Sequence, residues 1–392
     1  MKNKNKNLNI VTKNYYNTSI IMNPKSLPMD PKIWSKLPPE ILEFILSFLP
    51  LKTFMSLRST CKGFWPLIFS PSFISKHSPS SSPFSSFLLL SHPQFHRHFP
   101  LYDCNLGTWR NVSLSFSDSL HSSVLSYTTL VSSGGLFCLS DSISCSLLVC
   151  NLLAKSKRKI QYPNFNLHIE HLTFVTTPKG YIIFILSSES NSNSVFLYES
   201  SLKIQSWKKF NGFGPFLSDN PHQQGVYFKG CLYFATPEPF SVVYFDLENG
   251  KWERSIGGLP NQLTFVRLVS VNDDDGFEGK KLFLIGGVGN NGISRSIKLW
   301  EMSDEGNWVE IQSLPDLMCK KFVSVCYHNY EHVYCFWHEG MICICCYTWP
   351  EILYYLVSRR TWHWLPRCPS LPLKCSCGFK WFSFVPKLYA QV

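Results

Sequence analysis

The chain has 392 residues, 45% of them hydrophobic and 16% charged, with a formal net charge of +11. This length and apolar content suffice for one small and one large globular domain with ordinary cores. The longest purely apolar runs, such as residues 181–186, have the length of a strand, far short of the roughly 20 residues that cross a bilayer as a helix. We therefore expect no transmembrane helix and no membrane partner.

The positive charge is concentrated near the N-terminus. Residues 1–30 contain five lysines against one acidic residue, residues 31–78 six basic against two acidic residues, and the remainder 26 against 23. Only the stretch KSKRK, residues 155–159, is densely basic, which argues against direct nucleic-acid binding. Residues 1–30 also lack the apolar stretch of about 7–15 residues found in a secretory signal. They predict a disordered tail and a location in the cytoplasm and/or nucleus.

The fifteen cysteines are an odd number in a long chain, and most lie in apolar stretches such as MICICCY, residues 341–347. This pattern predicts buried thiols rather than disulfides. In a strand, Cys343 and Cys345 would share one face and Cys346 would take the other. Neither this group nor the pair Cys375 and Cys377 has the spacing that closes a zinc tetrahedron. We expect no metal and no cofactor.

Six segments of the long C-terminal part resemble one another at a period of about fifty residues. Each is an apolar strand followed by a polar turn and then tryptophan, except that Lys157 takes the tryptophan position in the second. Their bounds are 101–109, 147–157, 195–207, 242–252, 297–308 and 352–362. Each predicts a β-hairpin preceded by further strands. Residues 86–392 are therefore expected to form an all-β, six-bladed propeller, with three to four antiparallel strands in each blade.

The repeats resemble kelch repeats, whose period is about 50 residues. In the clearest one, Gly286 and Gly287 follow the second strand, Trp300 lies in the third and Trp308 opens the fourth. We expect the glycines to make tight turns with positive φ and the tryptophans to fill the wedge between blades. The corresponding residues are Gly134, Gly135, Gly286, Gly287, Trp109, Trp207, Trp252, Trp308 and Trp362.

The last strand-like segment, residues 378–390, has no hairpin of its own. The first blade begins near residues 86–92 and would otherwise lack a strand. We therefore predict that the two segments pair and close the ring, which removes two open sheet edges.

A different pattern occupies residues 31–77, ahead of a Ser/Pro-rich linker at residues 78–85. Between residues 39 and 49 only Glu40, Glu43 and Ser47 are polar, and their spacing places them on one narrow stripe of a helix. Further apolar segments follow, and fewer than fifty residues cannot bury them all. The surplus predicts that this small helical domain binds a partner surface.

Residues 37–74 resemble an F-box, a small domain of three helices. The family often has valine where Thr60 stands and tryptophan where Phe64 stands. By position, the adaptor-binding or core residues are Leu37, Pro38, Ile41, Ile45, Leu49, Pro50, Leu57, Cys61, Lys62 and Phe64. The sequence does not separate these two roles. An F-box followed by six kelch-like repeats resembles the plant F-box/kelch-repeat proteins.

This resemblance implies the substrate-recognition subunit of a Skp–cullin–F-box ubiquitin ligase. The F-box would bind a Skp-type adaptor and through it a cullin, while the propeller would bind a protein substrate for ubiquitination. The subunit would be non-catalytic and would act by raising the effective concentration of a substrate lysine. The alternative is a ubiquitin-independent interaction scaffold or transcriptional co-regulator, which weak adaptor binding caused by Thr60 and Phe64 would favour.

Few residues suggest catalysis by the chain itself. No H-E-x-x-H, phosphate-loop or G-x-S-x-G pattern occurs. His338, near Glu339, and His363, between two tryptophans, are the candidate bases, and isolated histidines at strand ends are more often structural. For substrate contact, the long connections at residues 210–225 and 271–281 are candidates by position alone.

Overall fold

The protein is represented by a computed structural model. It describes residues 32, 36–49, 51–57, 60–76, 86–95, 98–113, 130–141, 144–164, 167–177, 179–189, 192–201, 206–214, 220–255, 257–271, 280–371 and 377–392. The predicted tail at residues 1–30 and the predicted linker at residues 78–85 lie outside these ranges. The described α-helices are α1 (Pro39–Ser47), α2 (Leu51–Leu57), α3 (Pro71–Lys76) and α4 (Asp316–Cys326), and the 3-10 helices are Pro66–Phe69 and Tyr330–His332.

The strands form six four-stranded antiparallel sheets, the blades A to F of a propeller. Blade A contains β1 (Phe87–Ser91), β2 (His98–Asp103), β3 (Thr108–Ser113) and β24 (Lys380–Phe384). Blade B contains β4 (Leu130–Ser133), β5 (Leu136–Asp141), β6 (Ser146–Asn151) and β7 (Ser156–Gln161). Blade C contains β8 (Ile169–Thr177), β9 (Gly180–Glu189), β10 (Ser192–Glu199) and β11 (Lys208–Asn211).

In blades B and C and in the remaining three blades, the strands follow chain order from the inner to the outer strand, whereas in blade A β24 is the innermost strand. Blade D contains β12 (Val226–Phe228), β13 (Cys231–Ala235), β14 (Val242–Asp246) and β15 (Lys251–Arg254). Blade E contains β16 (Leu263–Val271), β17 (Lys281–Asn290), β18 (Ile293–Met302) and β19 (Trp308–Ser313). Blade F contains β20 (Val333–His338), β21 (Met341–Cys346), β22 (Trp349–Leu356) and β23 (Thr361–Trp364). The six-bladed propeller is thus confirmed.

The ring closes through the last strand, as the sequence predicts. Strand β24 pairs antiparallel with β1, in a register that runs from Phe87 opposite Phe384 to Ser91 opposite Lys380. This pairing gives blade A its fourth strand, and that strand comes from the other end of the chain. In the described residues, β24 therefore covers the edge of β1 that would otherwise be open.

The core lies between the blades, because each sheet buries its two faces against its two neighbours. Six clusters of buried apolar side chains fill the six interfaces. Cys343 and Cys345 belong to the cluster between blades F and A, whereas Cys346 belongs to the one between E and F. The predicted division of these cysteines between two faces is confirmed.

The repeated tryptophans lie at the start of the outermost strand and pack between blades. Three of them also donate an indole hydrogen bond to the preceding blade or the segment just after it. Trp109 Nε1 donates to Pro366 O (3.2 Å), Trp207 Nε1 to Gln161 O (2.8 Å) and Trp252 Nε1 to Asn211 O (3.1 Å). The wedge prediction is confirmed, and the hydrogen bond adds a polar link between blades.

The two glycine pairs act in different ways. Gly134 and Gly135 have φ of 51° and 83° and form the β4–β5 turn, as predicted. The prediction was wrong for Gly286 and Gly287, which lie inside β17 rather than after it and do not have positive φ. Steric crowding accounts for glycine at position 286, because a Cβ there would lie 2.9 Å from Phe265 O and 3.3 Å from the Trp300 ring.

Helix α4, between blades E and F, is absent from the predicted all-β pattern. It buries Cys319, Phe322, Val323 and Cys326, whose spacing of i, i+3, i+4 and i+7 is that of one helix face. The helix packs over the interface of blades E and F. Lys321 links it to blade F through an ion pair with Glu351 (2.6 Å).

The helical domain rests on one end of the propeller. A seventh cluster joins its buried residues Leu46, Phe54, Ile68 and Phe73 to Leu153 and Ala154 of the β6–β7 turn and to Leu388. We call the end of the ring that carries this turn the proximal face and the opposite end the distal face. The apolar surplus of the helical domain is thus partly covered by the propeller itself.

Leu388 reaches this cluster because the chain continues past β24 across blade B. Asn151 holds this segment, since its Nδ2 donates to Lys387 O (2.8 Å) and Ala390 O (2.9 Å). Its Oδ1 accepts from the backbone N–H groups of Leu153 (3.0 Å) and Ala154 (3.1 Å) in the β6–β7 turn. One side chain therefore fixes both propeller elements that contact the helical domain.

Leu388→Ala should loosen the helical domain from the propeller. Removing a buried leucine side chain leaves a cavity and costs about 2–5 kcal/mol, so we expect that loss in urea unfolding and faster proteolysis between the two domains. Leu106→Ala, in the exposed β2–β3 turn, is the control and should change the free energy of unfolding by under about 0.5 kcal/mol. Equal behaviour of the two variants would contradict the assigned interface.

The indole hydrogen bonds can be tested by comparing two tryptophans. Trp252 donates to Asn211 O, whereas Trp308 Nε1 is buried without a partner among the described residues. Trp252→Phe should therefore destabilise the protein more than Trp308→Phe, by roughly 1 kcal/mol, the usual value of one hydrogen bond. Chemical unfolding of both variants measures the difference, and a larger loss in Trp308→Phe would refute the inter-blade role of the bond.

Candidate functional site

The exposed side of α1 is apolar. Ile41, Phe44, Ile45 and Phe48 are 48%, 52%, 37% and 59% exposed, and their spacing of i, i+3, i+4 and i+7 places them on one face. The Phe44 and Phe48 rings meet edge to face, with their centroids 4.7 Å apart. We call these four residues the apolar face of α1.

The inward side of α1 explains why this face points outward. Leu46 is buried in the helical-domain cluster, with Leu42 and Leu49 packed against it. Glu43, one of the three polar residues of the helix, accepts from Ser72 Oγ (2.5 Å) and lies 3.8 Å from Lys76 Nζ of α3.

Ser47 is fully buried, and its Oγ donates to Phe44 O (2.6 Å). The polar stripe of α1 thus turns partly inward, where Glu43 holds α3, and apolar residues take the solvent side.

The structure separates the predicted F-box residues into two groups. Leu49, Leu57 and Phe64 pack against the domain core, whereas Leu37 is half-buried. The exposed group is Pro38, Ile41, Ile45, Cys61 and Lys62. Pro50 lies outside the described residues. Sequence reasoning missed Phe44 and Phe48, although the helical spacing from Ile41 could have found them.

A second candidate site lies on the distal face, at the end of the central channel that a propeller surrounds. Strand β24 begins there with Lys380, and three partly accessible rings lie at the same end: His222, His332 and Tyr347. His222 stacks on Tyr347 at 4.1 Å and lies 5.9 Å from His332, measured between ring centroids. We call these four residues the channel mouth.

Part of the predicted substrate loop at residues 210–225 fills the channel below this mouth. Asn220 is buried, and Gln223 Oε1 accepts from Cys335 N (2.8 Å) while its Nε2 donates to the carbonyls of Leu268 and Cys335 (both 3.3 Å). Residues 220–225 therefore join the inner strands of blades E and F rather than forming a surface loop. Residues 215–219 and 272–279 of the two predicted loops lie outside the described ranges.

The channel mouth is electropositive. Burial lowers the pKa of Lys380 to about 8, although the side chain stays partly accessible to solvent. Burial, followed by the charges of Lys380, His332 and Arg267, lowers the pKa of His222 to about 3. Burial and then Lys380 lower the pKa of His171, deeper in the channel, to about 4. His222 and His171 are consequently neutral at pH 7, and Lys380 remains a cation.

The two candidate bases, His338 and His363, have surroundings typical of histidines with a structural role. His338 is buried between blades F and A, with Nδ1 2.8 Å from Ser383 Oγ and Nε2 3.3 Å from Cys104 Sγ. Burial lowers its pKa to about 3 and raises the pKa of Cys104 to about 12. Both groups stay neutral at pH 7, whereas a nucleophilic thiolate next to an imidazolium needs the opposite shifts. His363 is exposed and contacts Thr361 Oγ1 (2.8 Å).

No group of three or more His, Cys, Asp or Glu side chains in the described ranges could hold a metal ion. No described helix is long and apolar enough to cross a membrane.

Known proteins share both parts of this architecture. Residues 34–64 match the F-box domain family. An F-box/kelch-repeat protein of Arabidopsis thaliana is 50% identical over 393 residues, which cover 96% of this chain and 94% of that protein. Protein UNUSUAL FLORAL ORGANS of A. thaliana is 24% identical, over 87% of this chain and 80% of its own length. Protein ABERRANT PANICLE ORGANIZATION 1 of Oryza sativa subsp. japonica is 22% identical, over 94% and 95%.

A small F-box joined to a six-bladed propeller defines a class of proteins that are generally non-catalytic substrate receptors of ubiquitin ligases. At 50% identity over nearly its whole length, the chain belongs to the plant F-box/kelch-repeat proteins.

The neutral, buried His338 should make the protein less stable in acid. Its pKa is about 3 when folded and about 6.5 when unfolded, so the unfolded state binds more protons between these values. Stability is therefore lost as the pH falls through that window. From pH 7 to pH 5 this histidine alone should remove about 2 kcal/mol.

Urea unfolding of the wild type and His338→Gln at pH 7 and pH 5 measures this effect. The variant should lose less free energy of unfolding across the interval than the wild type. An identical loss in both proteins would show that His338 is not kept neutral by the fold.

Proposed function

We propose that the chain is the substrate-recognition subunit of a Skp–cullin–F-box ubiquitin ligase and that it binds a Skp-type adaptor through the apolar face of α1. The observation that carries this proposal is the exposure of Ile41, Phe44, Ile45 and Phe48 on a helix whose other side is already packed. Contiguous exposed apolar side chains on a soluble protein mark sites of protein association.

The geometry is suited to docking without rearrangement. Glu43 binds α3, and Leu46 anchors α1 in the domain core, so the apolar face is held in place before a partner arrives. A preorganised surface loses less conformational entropy on binding. Burying these side chains would contribute about 25 cal/mol for each Å² of apolar surface removed from water.

The two departures from the family pattern do not alter this face. Phe64, where the family often has tryptophan, packs against the domain core. Thr60 donates its hydroxyl hydrogen bond to Leu57 O (2.6 Å). They therefore give no structural reason to prefer a scaffold that does not bind the adaptor.

Among the residues that the structure describes, the helical domain lies at the proximal face and does not cover the distal face of the propeller. We propose that the protein substrate binds there, at the end of the ring opposite the F-box. Adaptor and substrate would then occupy separate surfaces of one rigid body. Catalysis would come from proximity, because a tethered lysine has a high effective concentration near the ubiquitin-charged enzyme.

The adaptor proposal is tested with the double variant Ile45→Asp/Phe48→Asp. We expect the full-length wild type to bind a purified Skp-type adaptor and the variant to bind at least about 100-fold more weakly, because two carboxylates would have to be buried in an apolar contact. Isothermal titration calorimetry gives the affinity. Circular dichroism and thermal unfolding confirm that the variant is folded.

Val309→Asp is the matched control, since Val309 is an exposed apolar residue on β19 of the propeller. It should bind the adaptor like the wild type. A folded wild type that does not bind the adaptor would overturn the proposal and leave the ubiquitin-independent scaffold.

A further inference from the structure

The channel mouth holds a cation that the fold does not neutralise. Lys380 forms no ion pair with any carboxylate of the described residues, and its Nζ lies 5.7 Å from the centre of the Phe382 ring. Other partly exposed lysines are paired, for example Lys298 with Glu310 and Lys321 with Glu351. A half-buried lysine without a carboxylate is costly and becomes favourable when an anion binds.

A second, independent observation comes from His332. Its Nδ1 is buried and has no hydrogen-bond partner among the described residues. The ring lies beside the stacked pair of His222 and Tyr347. Buried polar atoms of folded proteins are usually satisfied, so this imidazole nitrogen, next to Tyr347 and His222, has a hydrogen-bonding position that a ligand group can fill.

The surroundings make the site rigid and positive. Deeper in the channel, Arg267 donates to Tyr330 O (2.6 Å) and Val266 O (2.7 Å) and also to Val333 O. Its charge is thus held by carbonyl groups and adds to the field of Lys380. Charges in a low-dielectric site attract counter-ions more strongly than charges on an open surface.

We propose that the channel mouth binds a carboxylate side chain of an acidic segment of the protein substrate, with Lys380 as its counter-ion and His332 as a hydrogen-bond donor. This proposal rests on the proposed receptor function and specifies the chemistry of its substrate. In this arrangement His332 Nδ1 would carry a hydrogen and donate it to the carboxylate oxygen.

A protein partner rather than a small anion is indicated by the rim of the same face. Helix α4 lies over blades E and F and exposes Leu317 by 82%, and Tyr327, just beyond its end, by 87%. These are large apolar side chains that a peptide can cover but an inorganic ion cannot. An acidic residue of the substrate would bind at the channel mouth, while the residues on either side of it would contact Leu317 and Tyr327.

The test measures binding of a hexaglutamate peptide to the full-length chain at low salt, with inorganic phosphate as a competitor. The wild type should bind the peptide saturably, and Lys380→Met should bind at least about tenfold more weakly because it keeps the apolar stem but loses the charge. Lys380→Arg should retain most of the affinity.

Lys229→Met is the matched control: Lys229 lies 5.1 Å from the Phe228 ring at the proximal end of blade D. It should bind the peptide like the wild type.

A measurement on the wild type removes dependence on variant folding. Bound hexaglutamate should slow chemical acetylation of Lys380 but not of Lys229, as read by mass spectrometry. Peptide binding that is independent of Lys380, absence of peptide binding, or binding of phosphate alone would each overturn the proposal.

Adaptor binding, measured on the same samples, should be equal in the wild type and Lys380→Met. This measurement separates the two proposals. If the wild type did not bind the adaptor, the receptor function would be refuted, whereas the peptide measurement would still test the channel mouth on its own.

Discussion

The pairing of β24 with β1 is the contact on which the rest of the molecule depends. A four-stranded blade cannot bury both of its faces alone, so each blade is stable only between two neighbours. Blade A obtains its innermost strand from the C-terminal end of the chain, through five residue pairs with β1. The clusters on both sides of blade A include residues of that strand, Trp381 towards blade F and Phe382 towards blade B. Without this pairing, the interfaces of blade A with blades F and B would lose the side chains of their innermost strand.

The same closure positions the helical domain. After β24 the chain leaves the ring on the proximal face, where Asn151 holds its backbone and Leu388 enters the core of the helical domain. A domain of fewer than fifty residues has too small a core to be very stable alone. The propeller supplies the missing apolar contacts through Leu153, Ala154 and Leu388. This shared core leaves the apolar face of α1 as the part of the surplus that remains exposed.

Periodicity predicted the blades and the hairpins because both depend on local alternation that repeats along the chain, whereas counting the strands predicted the ring closure. Periodicity could not show that Ile41 is exposed while Leu49 packs against the core. Helix α1 has apolar residues on two sides, and only tertiary packing determines which side is buried. Helix α4 was missed because it interrupts a repeat of strands, although its buried residues have helical spacing. The channel mouth could not be predicted from sequence either, because the charge of Lys380 acts on His222 only where distant segments converge at the ring axis.

Strand β24 also connects the two candidate sites. Its first residue, Lys380, stands at the distal mouth, and the chain beyond its last residue, Phe384, reaches the helical domain. Five residues of strand span about 15 Å, so this short segment passes through the depth of the ring. Its backbone is held by β1 along its length. Both ends of the strand are thus anchored in packed structure, which suits the proposed receptor function, because catalysis by proximity depends on how the bound groups are oriented.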